Sequence, residues 1–127
     1  MKKFVIMSIL SVVLGFLSCN AQSKGYKSVD AKSFAKIIKD TAVVRLDVRT
    51  PEEYAEGHIE KAINIDVMND NFETTAMSIL PQNKTIALYC RSGNRSKKAA
   101  GILAETAYKV VELTSGYKGW KAFKEQR

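Results

Sequence analysis

Two cysteines, one histidine and two prolines are all that this 127-residue chain holds of those types. One imidazole with the one thiol of the domain, Cys90, cannot build a zinc or iron–sulfur site, so no metal is expected; no cofactor is expected either. Two cysteines also rule out a disulfide-stapled scaffold, which leaves a hydrophobic core to supply stability. The chain lacks internal repeats and low-complexity segments, and its length allows one compact domain and no second. Lysine and arginine are in excess, giving a formal charge of +7. That charge is scattered, without a basic block or interleaved aromatics, so nucleic acid is not an expected partner. A diffuse positive surface suits small anions or an anionic membrane.

The longest apolar run, Phe4 to Leu17, is too short for a comfortable transmembrane span. It follows Met1-Lys2-Lys3, and a charged n-region before an apolar h-region is the pattern of a secretory signal. Phe16-Leu17-Ser18-Cys19 looks like a relaxed bacterial lipobox, with Cys19 as the residue to be lipidated. The expected organisation is a lipoprotein-type signal peptide over 1–18, a tether and first strand over 19–28, and a single domain over 29–127. Phe16 stands where an aliphatic residue is usual, so cleavage by signal peptidase I near Ala21 is the alternative. Either route predicts an exported protein, lipid-anchored on the periplasmic face of a bacterial membrane or soluble in the periplasm. Membrane contact is then through the N-terminal lipid alone. Losing Lys2 and Lys3 leaves the mature chain a formal charge of +5.

With Cys19 at the processing site, the mature domain keeps one thiol, Cys90. An unpaired thiol in an oxidising compartment points to reactivity. Its surroundings agree. Ile86-Ala87-Leu88-Tyr89 is a short apolar run after the turn signals Pro81, Gln82 and Asn83, as a central parallel strand requires. Arg91-Ser92-Gly93-Asn94-Arg95-Ser96 then leads into a helical stripe of Ala99, Ala100, Ile102, Leu103 and Ala104, with Ser96 read as the N-cap. Cys90 therefore ends a strand and faces backbone amides at a helix's positive end. Arg91 and Arg95 flank it, and both influences favour thiolate over thiol.

The rest of the chain alternates. Tyr26–Val29 reads as a strand, and Asp30 caps a helix to about Lys39 that buries Phe34, Ile37 and Ile38. Val43, Val44, Leu46 and Val48 form a strand, and Pro51 opens a short helix to Glu56. Ile63–Ile65 is a strand; Phe72, Met77, Ile79 and Leu80 mark a helix. The Thr85 strand, the Ser96–Glu105 helix, a strand at Val110–Leu113 and a final helix with Trp120 and Phe123 follow. Such alternation predicts an α/β fold, a mostly parallel central sheet flanked by helices on both faces, with Cys90 at the strand ends where these sheets bind ligands.

Arg45-Leu46-Asp47-Val48-Arg49, Glu52-Glu53-Tyr54, Gly57-His58-Ile59-Glu60-Lys61-Ala62-Ile63-Asn64-Ile65, the Cys90 loop, and Ser115-Gly116-Tyr117 with Gly119-Trp120 resemble, in order and spacing, the rhodanese domain of thiosulfate or persulfide sulfurtransferases. Lys61 departs from the glycine of that family's turn. The resemblance implies a rhodanese-like fold and a catalytic Cys90. It also implies a substrate and anion loop of Arg91, Ser92, Gly93, Asn94, Arg95 and Ser96. A small anionic, thiosulfate-like donor would pass sulfane sulfur to Cys90, and a thiol or cyanide would accept it, a periplasmic thiol protein being one such acceptor. Asp47, Arg49 and His58 are supporting candidates. Asp47 would orient loop amides or an arginine, Arg49 would bind substrate or pair with Asp47 and Glu53, and His58 would hold a turn. Arg91 and Arg95 are the candidates for substrate contact, since a guanidinium matches an oxyanion with two donors. Two other readings stand beside this one. A non-turnover binding or redox module would keep the fold for a protein partner. A cysteine phosphatase or arsenate reductase would need five residues between cysteine and arginine, and here four separate Cys90 from Arg95.

Overall fold

A computed structural model describes residues 25–126. The expected signal peptide and Cys19 lie outside them. The elements run β1 Lys27–Val29, α1 Ala31–Ile37, β2 Val44–Asp47, α2 Pro51–Glu56, β3 Ile63–Asn64, α3 Phe72–Ile79, β4 Thr85–Tyr89, α4 Asn94–Ala104, β5 Lys109–Leu113 and α5 Gly116–Glu125. All five strands are parallel, in the order β1-β5-β4-β2-β3.

Local chemistry sets the helix starts. The Asp30 carboxylate accepts the Ser33 amide at 2.9 Å and caps α1. Thr50 and Glu53 form a reciprocal capping box, with Pro51 in the first turn of α2. In α3 the buried spacing is Phe72, Ala76 and the flanking Leu80, four residues apart, so Met77 and Ile79 lie outside the core. Ser96 does not cap α4. The helix begins at Asn94 after Gly93, whose φ of 113° only glycine adopts readily, and Ser96 is carried inside the first turn and fully buried.

The period-2 alternation of β4 divides the interior. Ile86, Leu88 and Cys90 join Leu46, Val48, Ala99, Ala100 and Leu103 on the face covered by α3 and α4. Ala87 and Tyr89 join Phe34, Ile59, Leu113 and Trp120 on the face covered by α1 and α5. β2 leads outward to β3 and β4 leads the other way to β5. The crevice beyond the carboxyl ends of β2 and β4 is thus the topological switch point, where a ligand is expected.

Candidate active site

Cys90 follows the last residue of β4 and is 1% exposed. Its sulfur accepts the Gly93 amide at 3.1 Å. Burial pushes the thiol's pKa up, but the Ser96 hydroxyl and amide and the Gly93 and Ser92 amides outweigh it, so the net movement is down. The loop can aim its amides inward because its carbonyls are taken from outside. The Cys90 carbonyl accepts the Tyr117 amide at 2.8 Å and the Arg91 carbonyl accepts the Lys118 amide at 3.2 Å, both from the first turn of α5. Gly116 permits this approach, since a Cβ there would collide with the Arg91 carbonyl and the Ser92 amide. The first turn of α5 thus clamps the loop from beneath.

The arginines divide the work differently from expectation. Arg95 is engaged by Glu53 through two parallel bonds, Nη1 to Oε1 at 2.8 Å and Nη2 to Oε2 at 2.9 Å. That bidentate pair, opposed by partial burial and helped by the Thr50 amide, holds the Glu53 carboxyl down at about 2. Arg95 therefore braces α4 against α2, while its charge still acts on Cys90. Arg91 is exposed and lines a cleft of about 360 Å³ with Arg49, Glu53, Glu56, Gly57, Tyr117, Lys118 and Lys121. Of the two arginines proposed for substrate, Arg91 alone faces this cleft. Ser92 and Asn94 are exposed on the loop's outer side.

Arg49 pairs with Asp47 and not with Glu53. Its Nη2 reaches Oδ2 at 2.7 Å and its Nε reaches Oδ1 at 3.0 Å, and the same Nη2 donates to the Gly57 carbonyl at 2.7 Å. The guanidinium lies over the Tyr117 ring, 4.5 Å from its centroid. Asp47 touches no loop amide. It orients Arg49 and accepts the Tyr89 hydroxyl at 2.8 Å, and that hydroxyl in turn accepts the Ile59 amide at 2.9 Å. Burial and the Asp47 charge push the Tyr89 phenol strongly up, so it remains a donor. His58 stacks on Tyr54 at 3.6 Å, with Nδ1 2.8 Å from the Tyr54 carbonyl, and lines a separate hollow with Trp120 and Lys124. It holds the turn and gives Cys90 no base.

Lys61, at the family's glycine position, has φ of 68°. The left-handed conformation that glycine would adopt is retained with a side chain in place. Another hollow, about 520 Å³, lies at the other end of β4 among Gly25, Tyr26, Thr85 and Tyr108, away from the thiol.

Glu112 was not singled out from the sequence, yet it is fully buried beneath the loop. Its Oε1 accepts the Ser96 hydroxyl at 2.7 Å, and its Oε2 lies 3.4 Å from Lys97 Nζ. The signal was there: one carboxylate in an otherwise apolar stretch, Val110-Val111-Glu112-Leu113. Glu53 was legible too, as the fourth residue of the Thr50 capping box.

Fold, cysteine loop and clamping helix define a class, and the comparisons give the family. Residues 30–123 match the Rhodanese-like domain, so the chain belongs to that family. It is 33% identical over 94 residues to a sulfurtransferase of Allochromatium vinosum, covering 72% of this chain and 85% of that protein. It is 38% identical over 73 residues to thiosulfate sulfurtransferase PspE of Escherichia coli, covering 58% of this chain and 69% of that one. Reduced CoADR-RHD from Bacillus anthracis superimposes with a TM-score of 0.71 at 27% identity, over 91% of this chain and 20% of that one. The chain also spans 33% of the tRNA uridine(34) hydroxylase of Pelagibacter ubique, at 32% identity over 100 residues.

Proposed function

We propose that this chain is a sulfurtransferase that carries sulfane sulfur as a Cys90 persulfide, taken from thiosulfate or a like anion and given to a thiol or cyanide. The observation that carries this reading is the unpaired Cys90 sulfur at the amide-lined start of α4, with the Gly93 N–H at 3.1 Å and a lowered pKa. The Cys90 thiolate attacks the outer sulfur of thiosulfate. A sulfur–sulfur bond forms to Cys90, the bond to the sulfonate sulfur breaks, and sulfite leaves with the electron pair. Cyanide or a thiolate then attacks the outer sulfur of the persulfide, leaving as thiocyanate or a new persulfide and restoring the thiolate. No proton transfer is obligatory, which fits a Cys90 sulfur whose hydrogen-bond partner among the described residues is a backbone amide, and predicts ping-pong kinetics. Negative charge on either sulfur is met by amides already in place, an arrangement worth about 3 kcal/mol per donor where it has been measured. Arg91, Lys118 and Lys121 in the adjoining cleft would gather the anionic donor.

Intact-protein mass spectrometry after thiosulfate should show one added sulfur on Cys90, removed by cyanide. Cys90→Ser should take up none and should keep the wild-type fold by circular dichroism; sulfur transfer by that variant would sink the mechanism. Export rests on the Met1-Lys2-Lys3 and Phe4–Leu17 pattern, and lipidation on Cys19. Palmitate labelling that persists in Cys19→Ala would refute the anchor.

A further inference from the structure

The Ser96 hydroxyl has one hydrogen and more than one anionic claimant. Glu112 Oε1 lies 2.7 Å from it and the Gly93 carbonyl 3.0 Å, and Gly93 joins this cluster to the thiol, its amide holding the Cys90 sulfur at 3.1 Å, where the Ser96 hydroxyl also helps draw the thiol's pKa down. Hydroxyl hydrogens go to the strongest acceptor in reach, and a buried carboxylate at 2.7 Å is such an acceptor. We propose that Glu112 is a positioning residue for the reaction: by competing for the Ser96 hydrogen it limits what that hydroxyl donates to Cys90 and keeps the thiolate basic enough to attack. In this chain β5 places a fully buried carboxylate there.

The surroundings leave Glu112 adjustable. From α4 it faces Ser96 and Lys97, whose Nζ is 3.4 Å from Oε2 and also 3.3 Å from the Gly93 carbonyl. From its own strand end it faces the Thr114 hydroxyl, 3.4 Å away. In register on either side stand Leu88 of β4 and Ser28 of β1, neither charged. Arg95 acts on Cys90 but is paired with Glu53. The consequence is chemical. An attacking thiol is best with a pKa near the ambient pH, since nucleophilicity falls as the pKa falls.

This inference rests on Cys90 as the reacting thiolate, but its test reads the thiol itself, so loss of sulfur transfer and failure of the inference are separable. The midpoint of Cys90 is measured by thiolate absorbance and by the pH dependence of iodoacetamide alkylation, in otherwise wild-type protein. Glu112→Gln should lower the midpoint by about one pH unit and slow the limiting alkylation rate about threefold. In a Ser96→Ala background the same substitution should move the midpoint less than half as far. An unchanged or raised midpoint in Glu112→Gln, or an equal fall in both backgrounds, overturns the proposal, the latter reducing Glu112 to a bare charge. Lys97→Met, at a half-exposed side chain, supplies a test that leaves the buried carboxylate and serine in place. Stripping that cation strengthens the carboxylate's hold on Ser96 and should raise the midpoint; a fall or no change overturns the proposal.

Discussion

Asp47 and Glu112 are both fully buried carboxylates near the active loop, yet the chain treats them in opposite ways. Asp47, on the face of α1 and α5, has a guanidinium locked on both oxygens at 3.1 Å or less and a tyrosine hydroxyl besides. Glu112, on the face of α3 and α4, has one serine hydroxyl at 2.7 Å and a half-exposed lysine at 3.4 Å. A charge held by a buried counter-charge is fixed, because removing either partner strands the other in a medium that solvates it poorly. A charge held by a hydroxyl can be renegotiated with any acceptor that competes for the hydrogen. The first arrangement builds the floor of the cleft; the second lies behind the reactive sulfur.

The largest effect should come from breaking the locked pair. Asp47→Ala leaves Arg49 charged and 4% exposed, and removes the acceptor of the Tyr89 hydroxyl. Such a loss costs about 3 kcal/mol or more, which in a domain of this size lowers Tm by more than about 10 °C. Glu112→Gln, whose side-chain amide can donate to the Ser96 oxygen while freeing its hydrogen, should cost about 1 kcal/mol or less. Calorimetry of the two variants checks the contrast, and equal losses would erase it.

The sequence displayed the parts of this site that depend on local pattern and concealed those that depend on register. The apolar strand before Cys90, the Asp30 cap, the Thr50-Pro51 helix start and the parallel alternation follow from spacing and propensity within a few residues. Pairing with Asp47 and Glu53 is one of the two roles open to Arg49 from the sequence, but α2 turns Glu53 toward Arg95, 42 residues away. Tyr89 meets Asp47 only because β2 and β4 pair in a register that sets them side by side. Ser96 looked like a cap since serine commonly is one; the positive φ of Gly93 starts the helix earlier and turns the hydroxyl inward. The buried role of Glu112 required knowing that β5 is covered on the α4 side.

A smaller effect separates these buried pairs from the partly exposed one between them in the cleft. Glu53 has its folded pKa depressed to about 2 from 4.5, chiefly by Arg95. A depressed carboxylate contributes stability above its unfolded pKa and loses it as pH falls through the folded one. The stability gap between wild type and Glu53→Gln should therefore be full near neutrality, shrink below pH 4.5 and close near pH 2. Thermal melts across that range check the sign, and a gap that widened on acidification would mean Arg95 is not the cause.

The smallest effect concerns the turn that serves Asp47's network. Gly57 gives its carbonyl to Arg49 and Ile59 its amide to Tyr89, and the turn then closes through Lys61 at φ 68°. A side chain in that conformation costs about 1 kcal/mol, part of which glycine returns as unfolded-state entropy. Lys61→Gly should therefore stabilise by about 0.5 kcal/mol. Asn83 has nearly the same φ, 67°, but asparagine tolerates it, so Asn83→Gly should gain nothing. Because the turn bears on Asp47 and not on Glu112, Lys61→Gly should leave the Cys90 midpoint where it was. A shift in that midpoint would mean that the two carboxylates are coupled through β4, and that the fixed one also tunes the sulfur.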